Sequence, residues 1–133
     1  MKAIDTNVLV RFLVNDDPAQ GQQVRQLFSG AERQRSTYFV PLLVVLESIW
    51  VLASAYQVGR NELIEVFSDL LLLPVLEFEQ REAVQAMLQT AGNDPPDLPD
   101  LLIAKSALRN GCDGIVTFDK KAARSDAFEL LAP

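Results

Sequence analysis

Five of the 18 acidic residues in this 133-residue chain sit where apolar sequence surrounds or abuts them. Asp5 breaks into the short apolar run of "MKAIDTNVLV", and Glu47 is the only charge in "PLLVVLESIWVLASAY". Asp97 and Asp100 stand three apart in "DLPDLLIAKSAL", and Asp119 follows "GIVTF". A lone carboxylate among apolar side chains is costly unless it is protonated, paired or metal-bound. Taken singly, each acid has a structural role open to it. Asp5 can make an Asx turn after a strand. Glu47, expected to be at least partly buried, can pair with Arg11 or Lys105 or sit at a pocket edge. Asp97 can cap a helix whose N3 residue, Asp100, completes a capping box, with Pro99 tolerated in the first turn. Asp119 can cap the turn "DKKAA". Taken together, the five fall at strand ends or apolar helix faces that could converge, and convergent carboxylates repel unless a cation joins them. The chain has no histidine and one cysteine, Cys112. Imidazole bases, His-containing triads and His- or Cys-based zinc sites are therefore excluded. Oxygen-only ligands suit Mg²⁺ or Mn²⁺.

The elements that must hold these acids alternate along the chain. Short strands are predicted at residues 2–4, 37–40, 75–78 and 114–118, with a last one at 128–131. Between them lie helices with apolar stripes: one through Val8 and Leu13, one opened by Asp17 and Pro18 and broken or loosened at Gly30, then 41–56, 61–73, 79–91 and 101–109. "GNDPPDLPD" is the loop richest in breakers. The strands are short apolar runs without strict alternation, which predicts an α/β fold: a small parallel sheet of about four to five strands, covered by helices on both faces. No repeat or linker divides residues 1–133, so a single domain is expected. Ligands bind outside the carboxyl ends of such strands, where Asp5 and Asp119 lie.

Composition narrows the class further. Hydrophobic residues are 49% of the chain and charged residues 23%, enough for a packed soluble core. No stretch reads as a signal peptide. The most apolar segment is shorter than the roughly 20 residues of a membrane helix and carries Glu47 in its middle. An unpaired cysteine fits a reducing cytoplasm.

Four motifs, in order, resemble the acidic motifs of PIN-domain nucleases: "AIDTNVLV", "LESIWVL", "DLPDLLIAKSA" and "IVTFDKK". The resemblance runs from Lys2 to Lys121 and is nearest to the small VapC-type toxins of toxin–antitoxin pairs. It implies metal-dependent cleavage of RNA phosphodiesters. Asp5, Glu47 and Asp100 match the three central acids and Asp119 the fourth, making these four the expected catalytic metal ligands. Thr117 matches the small hydroxyl residue two before the fourth acid, and Asp97 an accessory acid. Thr6 and Asn7 match the polar pair that supports the first acid. Pro99 departs from the pattern, which more often has a small residue there. It could tilt the helix start and leaves Asp97 the least secure of the set.

The residue inventory agrees with that chemistry. Without a histidine to deprotonate a ribose 2′-hydroxyl, a metal-activated water is the natural attacker, and the expected ends are 5′-phosphate and 3′-hydroxyl. Net charge is −6, but setting aside the five motif acids takes it to −1. Arg11, Lys105, Lys120, Lys121 and Arg124 lie beside the motif acids and are the candidates for phosphate contacts. Rival readings are a non-catalytic PIN-like domain that binds RNA or a partner, and a Mg²⁺-dependent phosphatase or receiver-like domain. The phosphatase motif wants an Asp where Asn7 stands. The receiver wants an acid pair after the first strand, whereas Asp16 and Asp17 follow the first helix. The apolar surplus in "LLLL" (Leu70–Leu73) and around Val10, Phe12, Leu13 and Val14 is core by default. By resemblance, one apolar surface would form a homodimer and another would receive an antitoxin.

Overall fold

A computed structural model of the chain describes residues 1–92 and 96–131. Residues 93–95, from the predicted breaker-rich loop, lie outside the described residues. The chain forms two compact units, Met1–Arg81 and Glu82–Pro133.

The first unit contains β1 (Lys2–Ala3), α1 (Thr6–Leu13), α2 (Pro18–Gln34), β2 (Tyr38–Val40), α3 (Leu42–Ala55), α4 (Arg60–Leu71) and β3 (Leu76–Phe78). The strands pair in the order β1-β2-β3 and all run parallel, with Lys2 opposite Tyr38 and Tyr38 opposite Leu76. A pair of helices separates each strand from the next, which is the long crossover that parallel pairing requires. Local chemistry sets the helix limits. Asp17 caps α2 by accepting from the Gln20 amide at 3.1 Å, and Pro18 follows at the position where a missing N–H costs nothing. The left-handed Arg35, at φ 54°, ends it. Gly30 does not break α2, which continues to Gln34; one helical glycine costs only about 1 kcal/mol against alanine. At buried Gly21, an added Cβ would stand 3.4 Å from the Arg11 carbonyl, so α1 passes close to α2 at that point.

Burial follows the helical stripes. Val45, Ser48, Ile49 and Leu52 form the inner face of α3, and Leu63, Phe67, Leu70 and Leu71 that of α4. Of the "LLLL" run, Leu72 faces solvent. Phe12 packs on Phe28 with ring centroids 4.9 Å apart. The Ser48 hydroxyl is fully buried and has no hydrogen-bond partner among the described residues. A buried hydroxyl left unpaired costs free energy that a methyl group would not. Ser48→Ala is therefore expected to raise the unfolding free energy by about 1 kcal/mol, seen as a higher urea midpoint at unchanged m-value.

The second unit contains α5 (Arg81–Thr90), α6 (Leu98–Arg109), β4 (Ile115–Thr117), a 3₁₀ turn at Ala122–Arg124 and β5 (Phe128–Leu130). β4 and β5 are parallel, with Ile115 opposite Phe128. Ala104, Ala122 and Phe128 form a small core with Ile115 and Ala127 against it. α6 starts at Leu98, three residues before the predicted Leu101, because Pro99 occupies its first turn, where no amide is needed. The outcome is the parallel α/β architecture with flanking helices that the alternation predicts; among the described residues its strands form two sheets, one of three strands in the first unit and one of two in the second. Among those residues no helix is long and apolar enough to cross a membrane.

Candidate functional site

In the first unit, β1 delivers Asp5 to the start of α1. Its Oδ1 accepts the Val8 amide at 3.0 Å, making Asp5 the N-cap of α1 rather than a free Asx-turn acid. The next residue, Thr6, is buried, and its hydroxyl donates a close hydrogen bond to Glu47 Oε1. Asp5, Thr6, Asn7 and Glu47 line one cleft of about 340 Å³ together with Val44 and Val51. Glu47 is exposed, contrary to the burial expected of it. It projects from the outer side of α3, where Leu43 and Trp50 are also 78% and 63% exposed. Its pairing with Arg11 is not found either. Arg11 donates to Asp16 at 3.0 Å, to Gln20 at 2.9 Å and to the Tyr56 hydroxyl at 3.2 Å, and that hydroxyl donates to Asp16 at 2.7 Å. The Tyr56 hydroxyl, ahead of the Asp16 charge, holds the Arg11 guanidinium above its ordinary value. The same hydroxyl, with Arg11, holds Asp16 below the usual carboxylate range.

Because Glu47 is exposed and its one close contact needs only an acceptor oxygen, Glu47→Gln keeps the bond to Thr6. Its metal-free stability is expected within about 0.5 kcal/mol of wild type. A large drop in the metal-free melting temperature would instead mark Glu47 as a structural acid.

In the second unit, Asp97 and Asp100 lie at the start of α6 and Asp119 after β4. Asp97 occupies the N-cap position, but its side chain makes no capping bond; Oδ1 accepts from Lys121 Nζ at 3.0 Å, so the predicted capping box is not formed. Asp119 is fixed by its own turn, its amide donating to Thr117 Oγ1 at 3.0 Å. Its carboxylate accepts the amides of Lys121 at 2.8 Å and Ala122 at 3.3 Å. Asp100 is half-buried. Its carboxyl is pushed above the usual range first by burial and then by the charges of Asp119 and Asp97, with Lys121 working the other way. Three acids thus share one electrostatic neighbourhood in this unit. Lys105 is half-buried on α6, while Lys120 and Arg124 both face solvent.

Each unit by itself offers carboxylate and hydroxyl oxygens, the donors a hard divalent cation takes, and in the second unit like charge crowds onto Asp100. The described residues contain no group of three acids close enough to hold an ion by themselves. Tyr56, Asp16 and Gln20, which together fix Arg11, carry no signal in the sequence reading. Asp16 reads in the sequence only as an acid that follows the first helix, and no local pattern marks a contact made by Tyr56 from 45 residues away.

The PIN domain model matches residues 2–127, across both units and all four motifs. The chain is also 23% identical over 121 residues to the VapC ribonuclease of Aquifex aeolicus (strain VF5), an overlap of 91% of this chain and 89% of that protein. With a family match over nearly its whole length, and the four acidic motifs falling inside it in order, this chain belongs to the PIN domain family.

Proposed function

We propose that the protein is a Mg²⁺- or Mn²⁺-dependent endoribonuclease of the VapC type, built as a single domain and acting as the toxin of a toxin–antitoxin pair. The observation that carries the reading is the cleft in which Asp5 and Glu47 meet, with Thr6 holding Glu47 in place. Likeness to a VapC ribonuclease supports the substrate class. Asp5, Glu47, Asp100 and Asp119 are the assigned ion ligands, with Asn7, Thr117 and Asp97 in support. When bound, a divalent ion supplies charge neutralisation at the phosphate and lowers the pKa of a coordinated water. This chain's own residues do the positioning. The start of α1 fixes Asp5 through the Val8 amide, Thr6 orients Glu47, and the turn after β4 fixes Asp119 through two amides. Lys120 and Arg124, close in sequence to Asp119, are the proposed phosphate contacts, together with Lys121, Lys105 and Arg11. A homodimer and an antitoxin partner complete the proposal.

A second reading, a PIN domain that binds RNA or a protein partner without cutting, is favoured by the partners these acids already have. Asp5 is satisfied as a cap, Glu47 by Thr6, Asp97 by Lys121 and Asp119 by its own turn. Brief expression followed by mapping of new RNA 5′ ends, with Asp5→Asn as control, separates the two. The nuclease reading expects new ends in the wild-type culture that are absent from the control. Identical end maps support binding without cleavage.

A further inference from the structure

A second cleft, of about 420 Å³, is lined by residues from Asp5 through α1 and α2 and shares Asp5 and Asn7 with the first. Its polar wall is Asp5, Asn7, Arg11 and Gln23, and its apolar floor is Val24 and Leu27. Leu27 is 41% exposed, an apolar surface left beside a set of amides. Arg11 places Nε on Gln20 and Nη1 on Asp16 and Tyr56, which fixes the plane of its guanidinium at the cleft wall. A planar, fixed guanidinium, amide side chains carrying both donors and acceptors, and an apolar floor are what a splayed-out nucleobase requires. An all-apolar peptide anchor would leave those amides unpaired.

We propose that the α1–α2 cleft seats the nucleotide adjacent to the cleaved phosphodiester, its base lying on Leu27 and Val24 and read by Gln23 and Asn7, with Arg11 against its ribose-phosphate. This rests on the reading that the chain takes single-stranded RNA, and it makes Gln23 and Leu27 specificity determinants that none of the four acidic motifs contains.

The test uses the full chain and a 5′-fluorescein-labelled single-stranded RNA oligonucleotide in EDTA, read by anisotropy. Gln23→Leu and Leu27→Gln change no charge, and both positions are exposed, so their melting temperatures should match wild type. The cleft predicts that each variant weakens RNA binding about tenfold. It also predicts altered base preference at the cut, when cleaved ends of a randomised RNA pool are sequenced with Mn²⁺. Unchanged affinity and unchanged base preference in both variants overturn the cleft, and cutting that persists then leaves the nuclease reading in place. Cleft-dependent binding without any Mn²⁺-dependent cutting does the reverse. Loss of binding to the proposed antitoxin, with RNA affinity intact, overturns the cleft as an RNA subsite.

Discussion

Asp5→Asn is expected to lower RNA cleavage by about 10²-fold or more while leaving the fold as stable as before. The two effects separate because the proposed function gives Asp5 a second job beside its cap. As N-cap of α1 it accepts the Val8 amide, and asparagine caps a helix about as well as aspartate. As a proposed ion ligand it supplies a negative oxygen that an amide does not. Circular dichroism melts of both proteins without metal should superimpose, whereas single-turnover cleavage in Mn²⁺ should not. A melting temperature that falls by many degrees would show that the Asp5 charge matters to folding, and the activity loss would then say nothing about catalysis.

Asp100→Asn should also lower cleavage by about 10²-fold or more, and with an opposite signature in stability. The Asp100 carboxyl is raised by burial and by Asp119 and Asp97, against Lys121. The folded state therefore binds the Asp100 proton more tightly than the unfolded state. Above the raised folded value, ionised Asp100 weakens the metal-free protein. As pH falls through that value toward the unfolded carboxyl range near about 3.9, the penalty disappears. The amide of the variant carries no such penalty, so at neutral pH the variant should be the more stable by about 0.2–1 kcal/mol after discounting for solvent screening. That is about 1–4 °C in melting temperature. The gap should close as the pH approaches the unfolded carboxyl range. Saturating Mn²⁺ should reverse the order, because only the wild type keeps the full proposed ligand set and gains from binding to the native state. A variant less stable than wild type at neutral pH without metal would contradict like-charge crowding at Asp100.

Much of the fold and part of the site are legible in the sequence, for identifiable reasons. Helices with one apolar face declare themselves by spacing, as Leu63, Phe67 and Leu70 do in α4. Asp17-Pro18 declares a start through local capping chemistry alone. Glu47 misleads because α3 is apolar nearly all round, so apolar neighbours in sequence do not mean buried neighbours in space; Leu43 and Trp50 share its solvent-facing side. The capping box at Asp97 and Asp100 is a local pattern overridden by a long-range ion pair, since Lys121 lies 24 residues away. The Arg11 network depends in the same way on Tyr56, across 45 residues. Motif order, by contrast, carries over to the fold: each acid sits at an element end or helix face that its flanking residues create.

The most direct measurement is cleavage of a single-stranded RNA by highly purified protein, with and without EDTA, followed by chemical analysis of the product ends. A metal-dependent nuclease should show no cleavage in EDTA, restoration by Mg²⁺ or Mn²⁺, and products carrying 5′-phosphate and 3′-hydroxyl. Cutting that survives EDTA, or products ending in 2′,3′-cyclic phosphate, would contradict it.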